Sequence, residues 1–332
     1  MRPLVVGVLV LGACGSSHEL PPDDSPPMID APAAGSDATP SDAAWSWQSL
    51  ISNDWTMPMQ DAGIRCSTLP ITQEMWIDGF RPGTAMSPAN DHQLLIVTAN
   101  TTCSGTQPLG TDDELIYAVG LGSNGQLELP TGTAVHLVPS TTSTPLNLML
   151  YDDIANETAS TITGTSSIEV HLVDDPTTVA HDVDMVLGGD DLVAPANGQY
   201  VANGPCAPAV STGYQWHLVA LWPHMHESGT HATVTVGGTT VLDTAYSYLQ
   251  EQTYVIPDTL VDTGAEVVVG CTIDNTYAQE LTYGEVAPES EVFTGPPPYR
   301  NTVCWTGLYK YPTGTDPSGS PKGPEACVTG LE

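Results

Sequence analysis

Basic residues are scarce in this chain of 332 residues: Lys and Arg together number 6 against 39 Asp and Glu, a formal net charge of −33. A surface of that sign repels phosphate backbones and anionic headgroups. Nucleic acid is therefore excluded as a partner, and any membrane attachment needs something other than charge. No Gly-x-Ser-x-Gly elbow, Walker loop or Rossmann fingerprint occurs, which leaves hydrolase and nucleotide-binding readings without a motif. No Cys-x-x-Cys pair occurs, so a thiolate zinc site lacks its usual ligands. Long helical periodicity and an evident internal repeat are also missing.

The N-terminus departs from the acidic pattern. Arg2 precedes a short apolar run, Leu4 to Leu11, which leads into Leu11-Gly12-Ala13-Cys14. One positive charge, a short apolar stretch and small residues make an export signal. The run is shorter than the ~20 apolar residues that span a bilayer. Its Leu-Gly-Ala-Cys end resembles the bacterial lipoprotein signal, in which the cysteine takes a lipid and becomes the new N-terminus. That resemblance implies a signal over 1–14, a lipid on Cys14, and anchoring at a bacterial cell envelope; an ordinary cleaved secretion signal is the alternative. Of the 7 cysteines, setting Cys14 aside leaves Cys66, Cys103, Cys206, Cys271, Cys304 and Cys327. An even set in an oxidising compartment predicts disulfides, with the connectivity open.

Residues 15 to about 44 are rich in Pro, Ser, Asp and Ala and poor in large apolar residues, as in a flexible tether; a linker is expected over 15–59. From about 60 the pattern changes to short β-type runs such as Gln93–Val97, Glu114–Val119, Ser167–Val173, His217–Leu221, Ala232–Val236 and Ala265–Val269, divided by clusters of Gly, Asn, Asp, Thr and Pro. The length suits two domains of ordinary size. The expected fold is all-β, two tandem jelly-roll-like β-sandwich domains over 60–182 and 183–332. Leu187-Gly188-Gly189-Asp190-Asp191 reads as a loop near the boundary.

The most informative segment is Trp222-Pro223-His224-Met225-His226-Glu227-Ser228-Gly229. In a strand, side chains at i and i+2 share a face, so His224 and His226 are expected to converge on one ion while Met225 points away. Paired imidazoles suit copper or zinc. The stretch resembles the His-x-His-x-x-Gly motif of the copper type II, ascorbate-dependent monooxygenases, the family of peptidylglycine α-hydroxylating monooxygenase and dopamine β-monooxygenase. Gly270–Thr276, Leu281–Glu285 and Asn301–Pro312 resemble that family's Cys-x-x-x-Asn, Phe/Tyr-Gly-Glu and Asp-Glu-Met-Cys segments, in the same order. Arg81-Pro82-Gly83 with Asp91–Leu95, Leu129–Thr133 and Leu148–Asp152 extend a weaker likeness over the N-terminal half.

The resemblance implies the pairings Cys271–Cys304, Cys206–Cys327 and Cys66–Cys103. It also implies two separate copper sites, and the residues depart from both. At the oxygen-activating site His224 and His226 remain, while the methionine position holds Val303, with Glu291 a conceivable substitute ligand. At the electron-relay site only His92 remains, with Asp91 and Leu150 where the family has histidine, and with Met149 and His136 nearby. His171, His181, His217 and His231 have no motif support; His217 and His231 lie near the pair in sequence and are candidate supporting groups.

The expectation is an exported, lipid-anchored protein of this fold, binding one copper through His224 and His226, with monooxygenase activity reduced or absent. The alternatives are an active C–H hydroxylating monooxygenase using copper and ascorbate, and a metal-free structural or adhesive envelope lipoprotein. A monomer is expected; no catalytic residue, substrate or partner can be named.

Overall fold

In the computed structural model, residues 46–101, 113–122, 125–156, 158–190, 192–206, 213–276, 278, 281–283, 301–314 and 326–328 are described. The first ten strands are β1 (Trp47–Met57), β2 (Asp61–Pro70), β3 (Met75–Pro82), β4 (Asn90–Thr98), β5 (Glu114–Val119), β6 (Leu127–Glu128), β7 (Thr133–Leu137), β8 (Asn147–Asn156), β9 (Ile162–Leu172) and β10 (His181–Asp182). They make two sheets, β1-β9-β3-β7-β10 with β6 also on β3, and β2-β8-β4-β5. The antiparallel pairs nest: β1 with β9, β2 with β8, β3 with β7, β4 with β5. Successive pairs alternate between the two sheets, which is the wrapping of a jelly roll.

The remaining strands are β11 (Asp184–Asp190), β12 (Val193–Ala194), β13 (Gly198–Cys206), β14 (Tyr214–His224), β15 (Gly229–Val236), β16 (Thr239–Ala245), β17 (Tyr254–Val261), β18 (Val267–Asn275), β19 (Leu281–Tyr283), β20 (Asn301–Thr302), β21 (Cys304–Gly314) and β22 (Ala326–Val328). Here the sheets are β17-β14-β21-β11-β22 and β13-β18-β15-β16, with β12-β19-β20 as a small third. The nesting repeats: β11 with β21, β13 with β18, β14 with β17, β15 with β16. The chain is thus all-β, two jelly-roll sandwiches in tandem.

Burial patterns show how the halves meet. Strand β13 alternates between buried and exposed, as expected with solvent on one face. Strands β8 and β14 are buried almost throughout, so both of their faces are covered. One apolar cluster runs from Leu95, Tyr117 and Leu150 of the first sandwich into Met185, Val219, Trp222 and Tyr309 of the second. Sheet β2-β8-β4-β5 therefore uses one face for its own core and the other against the second sandwich. The described residues of both sandwiches accordingly belong to one compact unit.

Two sequence expectations need correction. The linker expected over 15–59 is too long at its C-terminal end: β1 occupies Trp47–Met57 and pairs along β9, burying Ile51 and Met57. The segment read as a loop at Leu187–Asp190 lies in β11. Its glycines serve close packing: a Cβ on Gly189 would sit 2.1 Å from the Cys304 carbonyl oxygen. The tether and Cys14 fall outside the described residues.

Cys271 of β18 is bonded to Cys304 of β21, with Cα atoms 5.7 Å apart, joining the two sheets of the second sandwich. Cys66 and Cys206 are also disulfide-bonded; the side chains of Cys103 and Cys327, their expected partners, lie outside the described residues. Lys310 is fully buried, its Nζ 2.5 Å from Asp184 Oδ1 on the neighbouring strand and 4.7 Å from the centre of the Trp216 ring. A buried charge is tolerated only with its partner. Asp184→Asn is expected to destabilise the protein by about 3–5 kcal/mol, whereas replacing both partners by Leu and Met costs far less; urea unfolding of the two variants measures the difference.

Candidate metal centre

The site lies where the two sandwiches join. On β8, Asp152 faces the interior of the first sandwich, where its Oδ2 accepts from Asn53 Nδ2 of β1 at 2.7 Å. Alternation then sends Leu150 to that same interior face and Asp153 to the opposite one, toward the second sandwich. The bulge at Asp91 shifts the register of β4, so that Asn90 pairs with Ile154 and His92 with Asp153. A bulge re-aims side chains. Here it sets His92 beside Asp153, on the face that meets the second sandwich.

From the second sandwich comes His224, the last residue of β14. Its ring stacks on Trp222, 4.9 Å between centroids and 11° between planes, and meets the His92 ring edge-on at 4.6 Å. Glu251 completes the cluster. It follows the short 3-10 turn Tyr248–Gln250 and is only 1 % exposed. The first sandwich holds it: its N–H donates to the Leu121 carbonyl at 2.7 Å. The close approach requires glycine on both sides of Leu121. A Cβ on Gly120 would lie 2.2 Å from Glu251 Oε2, and one on Gly122 would lie 2.2 Å from the Leu249 carbonyl oxygen.

One ligand atom each from His92, His224 and Glu251 lie within 4.8 Å of one another, a spacing that a single ion can bridge. His224 Nδ1 is 3.2 Å from Glu251 Oε1, and His92 Nε2 is 3.6 Å from the same oxygen. His92 Nε2 is buried and makes no hydrogen bond. Its other nitrogen, Nδ1, is 3.1 Å from Asp91 Oδ1, and Asp91 accepts in turn from the Tyr248 hydroxyl. A carboxylate on the far nitrogen fixes ring orientation and tautomer in metal-binding histidines. Tyr246 donates to Glu251 Oε1 at 2.8 Å and accepts from the Met225 N–H at 3.0 Å. A second group, Asp91, His92 and Asp153, also falls within 4.8 Å.

The electrostatics follow from burial opposed by charge. Burial alone would lower the His92 pKa; the Asp91 and Glu251 carboxylates outweigh it and hold the imidazole well above its ordinary value. Burial would raise Glu251, but His224 and His92 bring it down to about 2. Asp91 is likewise pushed up by burial, yet His92, Tyr248 and His226 leave it lowered. Asp153 keeps solvent access but is crowded by protein; that crowding and the Asp91 charge lift it to about 6 against the pull of His92.

The sequence candidates are therefore rearranged. His224 and His226 do approach, with centroids 5.6 Å apart, but not as neighbours on one strand: β14 ends at His224, and His226 sits in the following turn, 6.4 Å from His92. Met225 is buried in the second core, as a non-ligand. Asp91 lies beside His92 Nδ1 and belongs to the second group with His92 and Asp153. Leu150 lies in the apolar core, on the wrong face for any ligand, and Met149 is buried beside it. Val303 is buried, and Glu291 lies outside the described residues. His136 is remote, stacked on Trp76 and bonded to Glu74. His217 and His231 pair with Asp258 and Asp243 and do not support the site; His171 pairs with Asp78, and His181 stacks on Tyr311. Sequence reasoning missed Glu251, Asp153, Tyr246 and Tyr248. The signal present was Gly120-Leu121-Gly122, whose spacing suggests a close backbone approach but not what approaches.

Fold and site together define a double jelly roll with a buried His/His/Glu cluster at its join. No protein-family model matches the sequence, and no curated protein does. Among solved structures, the major capsid protein P2 from bacteriophage PM2 aligns at 9% identity and a TM-score of 0.32, covering 80% of this chain and 100% of that one. Infectious bursal disease virus, Gx strain, aligns at 10% identity and a TM-score of 0.16, covering 82% of each chain. At these scores the likeness carries no argument about this chain, and the fold rests on its own strand order.

A metal at His92 Nε2 competes with a proton held there by Asp91 and Glu251. Affinity is therefore expected to climb with pH until the raised His92 pKa is passed, then level off. Calorimetry in buffers of differing ionisation enthalpy should register about one proton released per metal below that pKa. Asp91→Asn is expected to weaken binding by about 10–100-fold and to move the rise to lower pH; competition with a chromophoric chelator measures both.

Proposed function

We propose that this protein is an exported metal-binding protein that holds one transition-metal ion, copper foremost, between its two jelly rolls, and that it lacks the two-site hydroxylation chemistry of the copper monooxygenases it resembles. The observation that carries the proposal is the convergence of His92, His224 and Glu251 from both sandwiches within 4.8 Å. His92 is the histidine retained from the relay motif, and His224 belongs to the oxygen-activating motif. With their rings 4.6 Å apart, they offer one binding point instead of two.

The donors fit such an ion. Two imidazoles and a carboxylate suit copper(II), zinc and iron(II). The thioether that would favour copper(I) is missing, because Met225 is committed to the core and Val303 has no lone pair. His92, His224 and Glu251 would hold the metal, with His226 in reach as a further imidazole. Asp91 and Tyr248 orient His92, and Tyr246 orients Glu251. The bound metal would supply Lewis-acid or redox chemistry. Asp153, paired with His92 across β4 and β8, keeps solvent access. Hydroxylation of the two-copper kind, with ascorbate as reductant, needs a separate relay ion; Asp91 is engaged with His92 and Leu150 faces the core, so that relay lacks its ligands.

The Leu-Gly-Ala-Cys run ending at Cys14 supports export and a lipid anchor. Among the described residues no helix is long and apolar enough to cross a membrane.

Titration of chelator-treated protein with copper(II), zinc and iron(II) tests the reading. One equivalent should bind, with copper(II) the tightest, as the Irving–Williams order requires. His92→Ala and His224→Ala should each weaken binding by more than the about 10–100-fold expected for an outer partner, and His226→Ala by less. Circular dichroism checks that the variants fold. Wild-type affinity in His92→Ala would refute the joint site, and two independent equivalents would restore the two-site reading.

A further inference from the structure

The interior of the first sandwich contains a polar cluster that the metal centre does not use. Asn90 and Gln93 on β4, Asp152 on β8, Asn53 on β1 and Ser166 on β9 all face inward, where a jelly roll normally packs apolar side chains. The bulge at Asp91 puts Asn90 and Gln93 on the same face, and Gln93 lies directly across from Asp152. Asn90 Nδ2 donates to Ser166 Oγ at 2.7 Å, and Trp55 Nε1 donates to the same oxygen at 2.8 Å. Asn53 Nδ2 donates to Asp152 Oδ2.

Several atoms remain unsatisfied. Asp152 Oδ1, Asn90 Oδ1 and both amide atoms of Gln93 are buried without a hydrogen bond, although Gln93 and Asp152 are 0% exposed and Asn90 is 6% exposed. A buried acceptor without a partner costs about 1–3 kcal/mol, and a carboxylate more. Three acceptor oxygens, all on the inward face of two paired strands, therefore lack the partners that burial demands. A single water has two protons to donate and leaves the carboxylate charge uncompensated.

We propose that Asp152, Asn90 and Gln93 bind a hard, oxygen-liganded cation inside the first sandwich. A carboxylate and amide carbonyls are the donors such ions take. The single carboxylate selects a monovalent ion, sodium or potassium, because a divalent one would leave an unpaired positive charge in the interior. A water completing its shell accepts from Gln93 Nε2. The ion offsets the Asp152 charge, whose burial otherwise lifts that carboxyl to about 6 against the hydrogen bonds of Asn53, Ser166 and Asn90. This site is independent of the proposed transition-metal centre: it lies on the opposite face of β4 and β8.

The test uses the full chain, freed of metal, at pH 7.5 and constant ionic strength. Exchanging choline chloride for sodium or potassium chloride should raise Tm saturably, by about 5 °C at a hundredfold excess over Kd. Asp152→Asn and Gln93→Leu should abolish the response, while His224→Ala should retain it. Crystals soaked in thallium(I), a potassium mimic, should give an anomalous peak between Asn90, Gln93 and Asp152, which decides the matter even if the variants fail to fold. An unchanged Tm in choline, a response to calcium alone, or thallium crystals without that peak would overturn the proposal.

Discussion

A carboxylate buried between imidazoles from two different sandwiches is the constraint on which this architecture turns. Glu251 is supplied by the second jelly roll but held in place by the Gly120–Gly122 backbone of the first. Its charge is tolerable in that interior only because His92 and His224 face it. The two sandwiches therefore do more than touch through an apolar patch: each completes the other's electrostatics. The outer ring of Asp91, Tyr248 and Tyr246 extends the same logic: Tyr248 of the second sandwich donates to Asp91 of the first, and Tyr246 donates to Glu251.

The duplication of the jelly roll explains why such a site can exist. Both halves use the same nested pairing, so each presents one sheet whose outer face can be covered. Burying β8 and β14 on both faces makes a single apolar body of the pair, and the chemistry gathers at the rim of that contact, where β4 bulges and β14 ends. A rigid join of this kind suits a metal centre, because ligands on strand ends are held more firmly than ligands on free loops. The two histidines stand together at this join, His92 from the first sandwich and His224 from the second, with rings 4.6 Å apart.

Much of the fold was legible in the sequence, and the reasons for the failures are specific. Frequent turns and short β-branched runs identified an all-β chain, and the Cys271–Cys304 bond is the one that the family resemblance implied. The expectation of two tandem jelly rolls holds, while the strand-by-strand nesting, which depends on alternation and turn position instead of residue identity, came only with the structure. The site was half legible. His224 and His92 stood out through their motifs, but convergence of two histidines on one strand assumed that β14 continues to 226, and it stops at 224. The placement of Asp91 was hidden because a bulge cannot be seen in a single sequence; with the bulge its carboxylate lies beside His92 Nδ1. Leu150 and Asp153 differ by an odd number of positions, so a motif match centred on 150 pointed to the wrong face. Glu251 carried no signal among 39 acidic residues. Gly188 and Gly189 read as a loop because glycine marks turns as often as it marks close packing, and only the neighbouring strand distinguishes the two.

Anomalous diffraction at the copper absorption edge, on crystals of the copper-loaded protein, tests the central claim most directly. A single peak within bonding distance of His92, His224 and Glu251 is the predicted result. Two peaks, one near each histidine motif, or no peak at the join of the sandwiches, would contradict it.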